Sequence, residues 1–168
     1  MNTPPVISVN RFLGECRDHL SNTDMAALQT LDGDLPYRSN NSFVCQWSNA
    51  ETQLRNALVR IRAEQKGSDP SVHIREQRSF HTAVEKAALD AIAKENPIDR
   101  EIALDRHRWN LLDELAGSNP FATRALLAYS LKLKIAERWA AMEEKKGAEA
   151  ADAIVNQKPH DAKAEETK

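Results

Sequence analysis

Cysteine is scarce: the 168 residues hold two, Cys16 and Cys45, and no CxxC. That is too few for a disulfide framework, and both read as reduced thiols of a cytoplasmic protein. Glycine is scarce too, with five residues scattered singly, so no Gly-rich loop is available to cradle a phosphate. No apolar run approaches the roughly 20 residues that span a bilayer, and no secretory h-region follows the N-terminus. The expectation is a soluble chain without direct membrane insertion. Neither sign of charge dominates: the net charge is −2, so nothing global recruits nucleic acid or anionic lipid.

Catalytic motifs are missing as well. Five histidines raise the question of a metal, but there is no HExxH. The Glu-x-x-His pairs that di-iron bundles need on two helices are also absent, since Glu15 and His19 are four apart. GxSxG does not occur, and neither cysteine sits beside a basic cluster or helix start that would activate it. Asp32, Gly33 and Asp34 resemble the start of a calcium loop, but the later ligands and closing Glu do not follow. No catalytic, metal-binding or cofactor-binding residue is therefore assigned, and the chain reads as a non-enzyme.

What is present is helical pattern. Hydrophobic residues at 41% and charged residues at 29% suit one all-α domain, a bundle of about five to six helices with no sheet. Residues 1–7 form an extended lead-in, because paired prolines disfavour helix. The helical domain spans 8–147. Residues 148–168, rich in Ala, Glu, Lys and Asp, are expected to fray from helix into disorder. Ser8 caps a helix with Phe12, Leu13, Cys16 and Leu20 on one face, and Ser21 or Asn22 starts a second. From Ser42 to Lys66 a seam of Phe43, Trp47, Ala50, Leu54, Ala57 and Ile61 repeats at helical spacing, with Gly67 as its C-terminal cap. Asp69-Pro70, Asn96-Pro97 and Asn119-Pro120 each place a capping side chain before a proline, which predicts three further starts. These are a short turn from Pro70 leading to a helix over Ser79–Glu95, a helix over Pro97–Ala116, and one over Asn119–Met142.

That last helix carries two apolar rows. Ala122, Leu126, Tyr129, Leu133, Ala136 and Ala140 form one, and Leu127, Leu131, Ile135 and Trp139 the other. Only a strip with Ser130, Lys134, Glu137 and Arg138 is left for water. Either this is the central helix of a core, or the row ending in Trp139 waits for a partner protein. The preceding helix puts Asp105 on its apolar seam. It is predicted either to be buried and paired with an arginine from another helix, Arg138 or Arg60, or to sit at the rim. Residues 38–78 carry seven basic and four acidic side chains. Arg55, Arg60, Arg62, Lys66, Arg75 and Arg78 in that segment support an alternative reading, a helical nucleic-acid-binding module. Aromatics are not interleaved with them, which favours a solvated face.

The stretches NPIDREIALDRHRWNLLDEL and FATRALLAYSLKLKIAERW resemble an uncharacterised bacterial family, a domain of unknown function, whose genes lie among those for V-type ATPase subunits. The resemblance covers about residues 8–145. Its most specific residues are Asp105, Arg108 and Trp109, followed by Leu131, Leu133, Ile135, Glu137, Arg138 and Trp139. Family members begin with a short tyrosine-rich segment, where this chain has MNTPPVI. The resemblance implies a non-catalytic part of a bacterial V-type (archaeal-like) ATPase, analogous to the socket component that joins the central shaft to the membrane rotor ring. Its partners would be other ATPase subunits, reached from the cytoplasm at the inner face of the plasma membrane. Leu127, Leu131, Ile135 and Trp139, with Arg55, Arg62 and Arg106, are the expected partner interface.

Overall fold

The computed structural model describes residues 5–33, 38–78 and 80–156, and for residues 144 and 146–156 the backbone alone. Six α-helices, α1 (Val9–His19), α2 (Asn22–Thr30), α3 (Ser42–Lys66), α4 (Thr82–Ile92), α5 (Pro97–Ala116) and α6 (Thr123–Asn156), follow in order, with a 3-10 turn at Ser71–His73 before α4. No strand occurs among the described residues. The capping chemistry explains most boundaries. Ser8 and Ser21 accept from the backbone N–H three residues on, Asn41 from Phe43 and Val44, and Asn96 from Ile98 ahead of Pro97. Each satisfies an N–H that the first turn would leave unpaired. Gly67 closes α3 at φ 65°, a left-handed conformation that a side chain would strain.

Two starts differ from the sequence expectation. At Asn119-Pro120 the Asn side chain accepts from the Phe121 N–H at 3.0 Å and its carbonyl from the Ala122 N–H at 3.2 Å. That closes a turn, and α6 begins only at Thr123. α4 begins at Thr82, not Ser79, because side chains of α3 hold the backbone ahead of it in extended form. α6 also runs to Asn156, so the segment expected as a tail opens as helix. Residues 157–168 of that segment, and residues 1–4 of the lead-in, lie outside the described residues.

Burial divides into two clusters that share α3 as a wall. One joins α1, α2, the first half of α3 and α6, with Leu112 of α5 at its centre. The other joins Leu54, Ala57 and Leu58 of α3 to Val84, Ala88 and Ala91 of α4 and Leu104 of α5. Single polar contacts orient the small helices on α6. Glu137 accepts from the Val9 N–H at 2.7 Å, a carboxylate at the positive end of α1. Lys134 donates to the Leu31 carbonyl at 2.8 Å, a cation at the negative end of α2, and pairs with Asp32.

The facing of α6 corrects the expected interface. Leu127, Leu131, Ile135 and Trp139 are 1%, 6%, 8% and 8% exposed and belong to the main core. They are closed to a partner because α1, α2 and α5 all lie against α6. Ser130, assigned to the water strip, is buried and donates to the Leu127 carbonyl at 2.8 Å. Tyr129, assigned to the inward stripe, is exposed at the edge of Phe12, with ring centroids 5.1 Å apart. The helix is turned so that the row ending in Trp139 faces inward.

Candidate functional site

A buried ionic chain crosses α3, α5 and α6. Asp105 is fully buried and accepts from Arg108 Nη1 at 2.9 Å, Trp139 Nε1 at 2.7 Å and Arg138 Nη2. Arg108 also clamps Glu51 of α3 through Nε and Nη2, both at 2.9 Å, the two-pronged geometry that suits a guanidinium to a carboxylate. Burial opposes the Arg108 charge. The Glu51 carboxylate beside it and the bonds to Glu51 and Asp105 outweigh that and raise its pKa above the ordinary arginine value. The two carboxylates face Arg108 and Arg138, with Arg55 against the outer side of Glu51, and every member is partnered. Its chemistry is that of a structural pin.

The arginine that meets Asp105 is thus Arg138, while Arg60 pairs with Glu85 of α4 at 2.6 Å. The other residues most specific to the resemblance also pin elements together. Trp109 lies under the Lys132 ammonium, 4.9 Å from the ring centroid, and Glu137 caps α1. Arg55, Arg62 and Arg106 are exposed, with Arg55 leaning on Glu51 at 3.4 Å. Glu51 does not stand out in the sequence. The signal available is a lone acid inside the seam of Trp47, Ala50 and Leu54.

A second constellation, equally unmarked by any motif, lies on the polar edge of α3. Asn49, Gln53 and Asn56 repeat at helical spacing and grip the extended backbone that leads into α4. Asn56 exchanges two bonds with the backbone of Arg75, at 2.9 and 2.7 Å. Gln53 does the same with His81, both at 2.9 Å, and Asn49 accepts from the Arg78 N–H at 2.7 Å. An amide presents a donor and an acceptor side by side, which matches the N–H and C=O of an extended residue. This satisfies a connection that would otherwise leave its backbone unpaired against a helix.

Held in place, that connection forms one lip of a cleft of about 660 Å³ between the first half of α3 and the second half of α5. Ala50, Val84, Leu111 and Leu115 supply apolar walls, and Arg78, His81, His107 and Glu114 are polar groups around them. His107 is half-buried, and its Nε2 is enclosed without a hydrogen-bond partner. Burial, followed by the Arg108 charge, pushes its pKa below 6.5, with Glu114 and Glu51 pulling weakly the other way. Arg78 and Glu114 are exposed, and neither has an ion-pair partner among the described residues. Phe80, between two lip residues in the chain, is 63% exposed. Cys45, at the α3 edge of the cleft, donates through Sγ to the Ser39 carbonyl.

Among the described residues no group of three or more His, Cys, Asp or Glu is placed to hold a metal, and no helix is long and apolar enough to cross a membrane. An apolar cleft with a few polar groups suits binding. No curated protein matches the chain, and no solved structure does. Residues 86–161, from within α4 through α5 and α6, match the model of the family described as protein of unknown function (DUF2764).

Proposed function

We propose that this protein is a non-catalytic interaction subunit or assembly factor of a bacterial V-type (archaeal-like) ATPase, working at the cytoplasmic face in a role analogous to the socket between shaft and rotor ring. The assembly is inferred from the sequence resemblance. The observation that supports an interaction role is the cleft between α3 and α5, apolar surface left open after the monomer has covered its own helices. Asp105, Arg108 and Glu51 are spent on one another inside the bundle, so recognition falls to the cleft and its rim.

Affinity purification of the tagged chain from its host, followed by identification of co-purifying subunits, tests this. V-type ATPase subunits are expected, and Ala83→Arg, which fills the cleft from an exposed position, should deplete them. Recovery of the chain alone from cells with an intact ATPase would overturn the proposal. Flat retention on heparin between low and moderate salt is expected, whereas a steep salt dependence would favour the nucleic-acid reading of residues 55–78.

A further inference from the structure

We infer that the free protein pairs with a second copy of itself, each copy setting Phe121 into the cleft between α3 and α5 of the other. The pairing stands apart from the ATPase reading. Its consequence, that a subunit must displace Phe121 to enter the cleft, rests on that reading.

The first argument is the tip that joins α5 to α6. Phe121 is 94% exposed, the most exposed aromatic among the described residues. Its backbone is fixed. Asn119 accepts the Phe121 N–H through its side chain at 3.0 Å and the Ala122 N–H through its carbonyl at 3.2 Å, and Pro120 between them has a locked φ. The Arg124 side chain lies back over Gly117, whose φ is 72°, with Cδ and Nη1 each 3.9 Å from where a Cβ would stand. A phenyl ring and a guanidinium are thus presented together on one turn, and both residue types are enriched where proteins meet. Because the turn is already ordered, little freedom is lost when it is bound.

The second argument is that the molecule carries the complement of this tip. Ala50, Leu111 and Leu115 wall an apolar cleft with Glu114 at its rim, and its 660 Å³ holds Phe121 with Pro120 beside it. Glu114 and Arg124 are both exposed, and neither is ion-paired among the described residues. Across the pair, carboxylate meets guanidinium. Arg78, held on the α3 side by Asn49, is left for the face of the incoming ring, which attracts a guanidinium. Donor and receiver are also neighbours. Glu114 and Leu115 belong to the last turn of α5, which ends at Ala116, and the tip follows at Gly117. A two-fold axis at that end of the bundle therefore makes the contact twice and closes the assembly at two copies.

The test is sedimentation of the full chain over a concentration series. A monomer–dimer equilibrium is expected, with a dissociation constant of about 1–100 μM, the strength of a small transient contact. Phe121→Ala should weaken it by about tenfold or more. The unfolding curve of the dilute monomer should not change, because so exposed a ring supports no core. Arg124→Glu and Glu114→Arg should each weaken pairing about tenfold, and the two together should restore it. Neither exchange harms the fold: Glu falls in the first turn of α6 and Arg in the last turn of α5, and each suits the helix dipole there. A chain monomeric throughout, a dimer indifferent to Phe121→Ala, or a charge exchange that restores nothing overturns the inference. Benzoylphenylalanine in place of Phe121 should cross-link two copies through the wall of Leu111 and Leu115, and cross-links that map elsewhere overturn it too. Capture of ATPase subunits keeps the two readings apart. Ala83→Arg should abolish both dimer and capture, and Phe121→Ala the dimer alone. A dimer that captures no subunit sinks the ATPase reading only; subunits captured by a chain that never dimerises sink the pairing only.

Discussion

Replacing Asp105 by asparagine keeps the side-chain shape and removes one of the two carboxylates that balance Arg108 and Arg138. The consequences for the two arginines differ. The Arg138 side chain is 48% exposed and can turn to water, whereas Arg108 is 15% exposed and fixed against Glu51. In the variant Arg108 would face either an amide NH₂, donor against donor, or a neutral oxygen in place of a charged one. Removing one partner of a buried, hydrogen-bonded charge pair costs about 3–5 kcal/mol. A domain of this kind has about 5–15 kcal/mol in total, so the urea midpoint should fall by about a fifth or more with an unchanged slope. Arg138→Gln alone should cost about 1 kcal/mol or less, because water already screens that partner. The double variant removes a charge of each sign, so its loss should be smaller than the sum of the singles by about 1 kcal/mol or more. An Asp105→Asn protein within about 0.5 kcal/mol of wild type, or strict additivity with Arg138→Gln, would refute the reasoning.

Three further outcomes are expected. Leu133→Ala and Trp139→Ala should both destabilise strongly, by about 2–5 and 3–5 kcal/mol in chemical denaturation. A Trp139→Ala chain of near wild-type stability would contradict its place in the core. His107 has a folded pKa below its unfolded 6.5, so its contribution is complete above pH 6.5 and is lost as the pH falls through 6.5 toward the folded value, where the unfolded chain binds the extra proton. Melting temperature should therefore drop between pH 7.5 and 5.5, and less steeply in His107→Gln; identical slopes would count against burial of the imidazole. Gln53→Ala strands the N–H of His81, whose C=O keeps the Val84 N–H at 3.0 Å, and should cost about 1 kcal/mol or more. The freed His81 amide should exchange ahead of the rest of the chain, and uniform exchange would show that the connection needs no such anchor.

Much of the fold is legible in local chemistry. Ser8, Ser21 and Asn96-Pro97 mark helix starts through one side chain each, and the bounds of α3 and α5 follow from the pattern alone. Where local pattern misleads, a distant element or a competing turn decides. Asn96 and Asn119 both precede proline and both side chains accept from the N–H two residues on, yet only the first opens a helix directly, because the Asn96 carbonyl accepts from Arg100, four residues on, and that of Asn119 from Ala122, three on. The rows on α6 have the right period, but period is silent on which row meets α1, α2 and α5, and the row taken for a docking surface is core. Asp105 stands out as an acid on a seam. Glu51 carries the same signal on α3 and passes unnoticed beside exposed Arg55. The cleft has no local signature at all, since its walls come from segments about 60 residues apart in the chain, joined by the Glu51–Arg108 clamp, and its lip is held by amides on α3.

The length of α6 has a thermodynamic consequence. Among the described side chains its last against the core is Met142, and helical backbone continues to Asn156, a projection about 21 Å long. A free peptide of that size would be a marginal helix in water, because initiating the first turn is so unfavourable. Here the packed part of α6 supplies the nucleus, and the projection has only to propagate, residue by residue, through an Ala- and Glu-rich stretch that favours it. Gly147 interrupts that stretch with a residue about 1 kcal/mol worse than alanine in a helix. Heating should therefore unzip the projection from Asn156 back to Gly147 well before the bundle melts.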